Sequence, residues 1–164
     1  MTTPAPIGGV SDWTFVSAGE FHTCALRTSS SFLYCWGYNF EGQLGNGSSG
    51  ANADRYSPSF VSSSRAWLTV ATGDFTTCGI TADGDLSCWG SNVSGLVGNG
   101  NAGEIVVTPV QIDGSGQNVG VGLMAGAACA LHGDGGTSCW GTNPNGEFGD
   151  GTAFYESPIQ VIDP

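Results

Sequence analysis

Three stretches decide the reading: WTFVSAGEFHTCALRTSSSFLYCWGYNFEGQLGNG (13–47), WLTVATGDFTTCGITADGDLSCWGSNVSGLVGNG (67–100) and VGVGLMAGAACALHGDGGTSCWGTNPNGEFGDG (119–151). They line up end to end. Each carries one Cys-Trp-Gly triplet, starting at 35, 88 and 139, so the spacings are 53 and 51 residues. Each runs on to a proline-led apolar tail, SPSFV (57–61), TPVQI (108–112) and SPIQV (157–161), and a further copy, TPAPI, stands at 3–7. A repeat of roughly 50 residues, made of short apolar runs broken by Gly, Asn, Asp and Ser, is the length of a four-stranded propeller blade. No window keeps a 3.6-residue period without a glycine interrupting it, so little or no helix is expected.

The expected fold is therefore all-β. It is a propeller of four-stranded antiparallel blades with three repeats in this chain, as a partial ring or one completed by oligomerisation. The 164 residues form a single repeat domain, 1–164, with repeats at about 13–61, 67–112 and 119–161 and an extra N-terminal strand at 3–7.

The cysteines test this reading. A hairpin centred on Asp83 sets Cys78 opposite Cys88, with Ala82-Asp83-Gly84 as a three-residue loop. Glycine stands last in it, where a left-handed residue is wanted. Cys129 and Cys139 centre on Asp134 in the same way, and Cys24 and Cys35 flank a four-residue loop at 28–31. Opposed residues at a non-hydrogen-bonded position lie within disulfide range. The bridges expected are Cys24–Cys35, Cys78–Cys88 and Cys129–Cys139, each worth about 2–3 kcal/mol. The register also assigns faces. The cysteines share one side with Leu26, Leu33, Ile80 and Leu86, while Trp36, Trp89 and Trp140 take the other, over the small Ala25, Gly79 and Ala130. Trp36, Trp89, Trp140, Leu26, Ile80 and Leu131 are the expected blade core.

Composition narrows the partners. Three basic against fourteen acidic residues give a net charge of −11. Such a field repels a phosphate backbone and an anionic membrane surface, so nucleic acid and membrane insertion are not expected. No apolar run reaches the length of a membrane-spanning helix, and the opening MTTPAPIGGV has neither the basic nor the apolar region of a signal peptide. A signal peptide is then absent from, or already removed in, this sequence.

The motifs HTCAL (22–26), CWGYNFEGQLGNG (35–47), CWGSN (88–92), CWGTNPNGEFGDG (139–151) and the Ser/Thr-Pro tails resemble the regulator of chromosome condensation repeat family. The resemblance spans essentially the whole chain. It implies propellers of four-stranded antiparallel blades, often seven, in rings closed by strands from both ends of the chain. A cysteine pair in every blade resembles secreted members rather than the nuclear prototype. That prototype is an exchange factor for a small GTPase and binds chromatin, a role that does not carry over to an acidic, cysteine-paired chain.

The residues that could carry chemistry are few. His22 sits at the family's His-Thr position and reads as structural, bonded within its blade. His132 stands beside a hairpin loop and reads as exposed. Cysteine spacings of 10 and 11 do not resemble a zinc site. The GNG and GDG segments lack the lysine and helix of a phosphate loop, and Asp83, Asp85 and Asp134 read as turn residues rather than calcium ligands. There is no nucleophile elbow and no Ser/His/Asp set. No catalytic residue, metal or cofactor is expected, and the chain is read as not an enzyme. Asn46 and Asn92 match the N-glycosylation acceptor pattern.

The function expected from the sequence is a non-catalytic, extracellular, structural module that assembles with itself into a closed oligomer or a filament. Strands bearing Thr3, Pro4 and Ile7, and Pro158, Ile159 and Val161, would complete a blade between chains. The alternative is a protein-binding module, or a fragment of a larger propeller such as an enzyme inhibitor or receptor ectodomain. Its contacts would be exposed aromatics and the insertion at 48–56, and aromatics gathered at one rim would favour it.

Overall fold

The computed structural model describes residues 6–7, 9–61, 65–149 and 154–161, the last segment, apart from Pro158, as backbone. Twelve strands occur among them, with no helix, in three four-stranded antiparallel sheets. The first holds β1 (Trp13–Ala18), β2 (His22–Arg27), β3 (Leu33–Gly37) and β4 (Arg55–Phe60). The second holds β5 (Trp67–Thr72), β6 (Thr76–Thr81), β7 (Leu86–Ser91) and β8 (Ile105–Asp113). The third holds β9 (Asn118–Met124), β10 (Ala127–His132), β11 (Thr137–Thr142) and β12 (Phe154–Val161). Each sheet pairs its strands in chain order, so every blade is a simple meander.

The central hairpins follow the cysteine register. Cys24 faces Cys35, Cys78 faces Cys88 and Cys129 faces Cys139. All three pairs are disulfides with Cα atoms 4.1 Å apart. In the second blade, Thr81 N–H donates to the Asp85 carbonyl at 2.9 Å, closing the loop around Ala82, Asp83 and Gly84, the last at φ 84°.

Blades stack by opposite faces. The cysteine face of the first, with Cys24, Cys35, Leu26, Leu33, Leu44 and Val61, packs against Trp67, Val70 and Trp89 of the second. The cysteine face of the second, with Cys78, Ile80, Leu86, Cys88, Leu96 and Val97, packs against Ala128, Ala130 and Trp140 of the third. Every blade thus has a cysteine side pointing forward along the chain and a tryptophan side pointing back. First strands of successive blades touch, β1 with β5 and β5 with β9, which places them innermost. Ser17 on β1 and Thr72 on β5 join there, hydroxyl to hydroxyl, at 2.9 Å.

Three expectations are corrected here. Leu131 is not core but 45% exposed, and Trp36 is only partly buried. Both lie on end faces against which no described blade packs. The strand with Pro158, Ile159 and Val161 is not available to another chain: as β12 it is the fourth strand of its own blade, with Ile159 opposite Cys139 and Val161 opposite Thr137. Antiparallel pairing with β11 satisfies its inner edge at once. Thr3 and Pro4 lie outside the described residues, and Ile7 is exposed and in no strand.

Candidate binding surface

Each interblade joint is built from one recurring loop. After the Cys-Trp-Gly triplet comes a buried asparagine, Asn39, Asn92 or Asn143. Its side-chain carbonyl accepts the backbone N–H five residues on: Leu44 at 2.9 Å, Val97 at 2.9 Å and Phe148 at 3.0 Å. Asn92 Nδ2 donates to Asn99 Oδ1 at 3.1 Å and to the Asn101 carbonyl at 3.0 Å, and Asn39 Nδ2 does the same work toward the Ser48 carbonyl at 2.9 Å. A buried amide with both ends satisfied holds a loop in one shape.

The loop so held is a socket for the next blade's tryptophan. Trp89 Nε1–H donates to the Gln43 carbonyl at 3.0 Å, and Trp140 Nε1–H donates to the Leu96 carbonyl at 2.8 Å. Gly45 and Gly98 sit at positive φ beneath these rings, and a Cβ would meet Trp89 Nε1 at 2.5 Å and Trp140 Nε1 at 2.8 Å. Only glycine combines that backbone with that clearance.

The first joint has a further bond. Thr77 Oγ1 donates to the same Gln43 carbonyl at 2.8 Å and lies 2.7 Å from His22 Nε2. The hydroxyl has one proton, spent on the carbonyl, so His22 must donate through Nε2–H. His22 therefore bonds across the joint, not within its blade as expected. Burial pushes its pKa down to about 4, against a smaller opposing pull from the Asp74 backbone. His132 is likewise not simply exposed, because its Nε2 is 2.8 Å from Ser138 Oγ.

The glycosylation expectation fails at Asn92. That side chain is fully buried with its amide donating twice, so no glycan fits on Nδ2. Asn46 is half-buried, its Oδ1 taking Ser48 Oγ at 2.6 Å and its Nδ2 facing Ser59 Oγ at 3.4 Å. Of the turn aspartates, Asp85 is paired with Arg65 at 2.7 Å, and Asp134 Oδ1 accepts the Gly136 N–H at 2.9 Å. No group of three or more metal-ligating side chains occurs among the described residues.

One rim carries a patch that the core does not require. The β1–β2 turn and the segment after β3 emerge at the same end of a meander, and so do their counterparts in the second blade. They bring Phe21, Tyr38, Phe40 and Phe75 together, each between 37% and 46% exposed. Phe21 stacks on Phe75 at 5.0 Å, across the joint, and Tyr38 stacks on Phe40 at 6.3 Å. Tyr38 bridges the pairs, 6.0 Å from Phe21 and 6.2 Å from Phe75. A groove of roughly 340 Å³ continues past Phe75 between Glu41, Asp74, Val93 and Leu96. The third blade has Gly126 and Pro144 at matching places, and the patch stops there. Sequence alone shows aromatics scattered over positions 21, 38, 40 and 75. Their meeting is visible only once the two loops of each blade are known to share an end. Tyr56 in the 48–56 insertion is 98% exposed and stands on β4.

Three meander blades stacked cysteine side to tryptophan side define a β-propeller repeat protein. The Regulator of chromosome condensation (RCC1) repeat matches the chain at 13–43, 67–96 and, in a second description, 32–80. The chain belongs to the regulator of chromosome condensation repeat family. It is 28% identical to the ultraviolet-B receptor UVR8 of Arabidopsis thaliana, over 83% of this chain and 31% of that protein. It is 30% identical to the Regulator of chromosome condensation of Drosophila melanogaster, over 76% of this chain and 21% of that one. The chain thus spans a third or less of these relatives. Among solved structures, human WBSCR16 matches with a TM-score of 0.81 and 20% identity, over 96% of this chain and 40% of that chain. Prp20p of Saccharomyces cerevisiae matches with a TM-score of 0.82 and 21% identity, over 94% and 39%. At these identities the likeness is one of fold.

Proposed function

We propose that the chain is a non-catalytic, extracellular binding module that recognises a protein partner through the aromatic rim shared by its first two blades. The observation that carries this reading is the patch of Phe21, Tyr38, Phe40 and Phe75, in mutual contact yet exposed. Aromatic side chains give large contact area at small entropy cost and dominate interface hot spots. Glu20, Glu41 and Asp74 lie beside them in sequence, and the chain as a whole is strongly acidic. The complementary partner surface is one of aliphatic side chains edged by arginine or lysine, which also gains from cation–π contact.

The extracellular placement rests on the cysteines. All six are paired, and such pairing persists in oxidising compartments. No helix among the described residues is long and apolar enough to cross a membrane.

The test is a screen of immobilised chain against extracellular proteins from the same source, run in parallel with a Phe21→Ala/Phe75→Ala variant. Partners retained by the wild type, weakened by salt and lost from the folded variant support the reading. Partners that bind both proteins equally reject the rim as the contact surface.

A further inference from the structure

The two end faces of the described stack are halves of the joint that the interior uses twice. On the first blade, Trp36 lies opposite Thr23, as Trp89 lies opposite Thr77 in the second. Yet Trp36 is only partly buried, and no described residue accepts its indole N–H. Val16, the counterpart of Val70, is 64% exposed where Val70 is 2%. This face has the residues that plug a socket.

The third blade holds the matching socket. Asn143 holds its loop as Asn39 and Asn92 hold theirs. Glu147 stands where Gln43 and Leu96 offer their carbonyls, and no described residue donates to its own. A Cβ on Gly149, counterpart of Gly45 and Gly98, would meet nothing within 4 Å. Against this loop lies an open cavity of roughly 330 Å³, lined by Gly122, Met124, Ala127, Cys129, Glu147 and Phe148. Three of these occupy the positions at which the first blade uses Ser17, His22 and Gln43 to hold the second.

We infer that a second copy of this chain seats the tryptophan face of its first blade on the cysteine face of the third, head to tail, with Trp36 Nε1 and Thr23 Oγ1 donating to the Glu147 carbonyl. Two joints in the chain show what such a socket takes, and the chain itself presents an unused plug of that kind. The joint is heterologous, so it yields a ring if the rotation closes and an open array if it does not. It uses neither the aromatic rim nor any partner recognised there, so the two proposals stand separately. The net charge of −11 on each copy opposes encounter, and salt therefore strengthens the association.

Sedimentation of the oxidised 164-residue chain across a wide concentration range, at low and high salt, tests this. The expected result is a mass rising from the 16.7 kDa monomer to twice that or more. Trp36→Ala removes the plug and Met124→Arg blocks the socket. Met124 is exposed and Trp36 partly buried, so three intact disulfides and a single cooperative unfolding transition certify the fold. Each variant alone is expected to stay monomeric. Mixed, they are expected to give a one-to-one heterodimer and nothing larger, because only one joint can form. A wild type that remains monomeric at the highest attainable concentration overturns the proposal. So does association that persists in both single variants, or a mixture that fails to pair.

Discussion

Trp89 of the second blade donates its indole N–H to the Gln43 carbonyl of the first at 3.0 Å, and Trp140 repeats the bond to Leu96 at 2.8 Å. In each joint this bond ties the indole of one blade to the loop of the blade before it.

Trp89→Phe keeps an aromatic ring in the socket but removes the donor. Thr77 still donates to Gln43, so the carbonyl is not orphaned and the expected loss is about 1 kcal/mol. Trp89→Ala also empties the pocket and is expected to cost about 3–5 kcal/mol. Denaturant midpoints of the oxidised proteins read both. Equal losses would mean that the hydrogen bond, not the packing, carries the joint.

Asn92→Ala strands the Val97 N–H and frees the loop that receives Trp140. A loss of about 2–3 kcal/mol is expected from a buried donor left without its acceptor. The same burial predicts the mass of the chain secreted from a glycosylating host. A peptide containing Asn92 is expected without a glycan, and a glycan found there on folded protein would contradict its position.

His22 makes the chain acid-sensitive in a defined window. Its folded pKa is about 4, against an ordinary value near 6.5 for the unfolded chain. Between these values the unfolded state binds a proton that the folded state refuses. Stability is therefore complete above pH 6.5 and falls as the pH drops toward 4, by about 3 kcal/mol in all. His22→Asn is expected to flatten this part of the stability–pH curve, leaving the carboxylate-driven loss at lower pH. A curve unchanged by the substitution would place the proton uptake elsewhere.

The three disulfides are expected to differ in accessibility. Both cysteines of the first and second bridges are fully buried under the next blade, whereas Cys129 on the open face is partly exposed. Mild reduction followed by alkylation and mass analysis is expected to label Cys129 and Cys139 first. Simultaneous labelling of all six would show that the blades open together.

Much of this architecture is written in local chemistry. A 53- and 51-residue spacing of Cys-Trp-Gly, with short turn segments centred between cysteine partners, determines three meander blades, their disulfides and which side of each hairpin a residue takes. Alternation along a strand and turn residues within a few positions are short-range constraints, readable without a fold. What stands opposite each face is not. The sequence assigns Trp36, Trp89 and Trp140 one role, and Leu26, Ile80 and Leu131 another. Only stacking separates the fully covered members, Trp89, Trp140, Leu26 and Ile80, from the partly buried Trp36 and the exposed Leu131, because burial depends on a neighbour some 50 residues away. The same holds for His22, whose partner Thr77 lies 55 residues on, and for Asn92, whose sequon reads as a surface turn until its amide is seen holding the next blade's socket. The aromatic rim belongs wholly to the tertiary level. Phe21 and Phe75 are brought to 5.0 Å by the packing of one blade on another, a relation that no local pattern encodes.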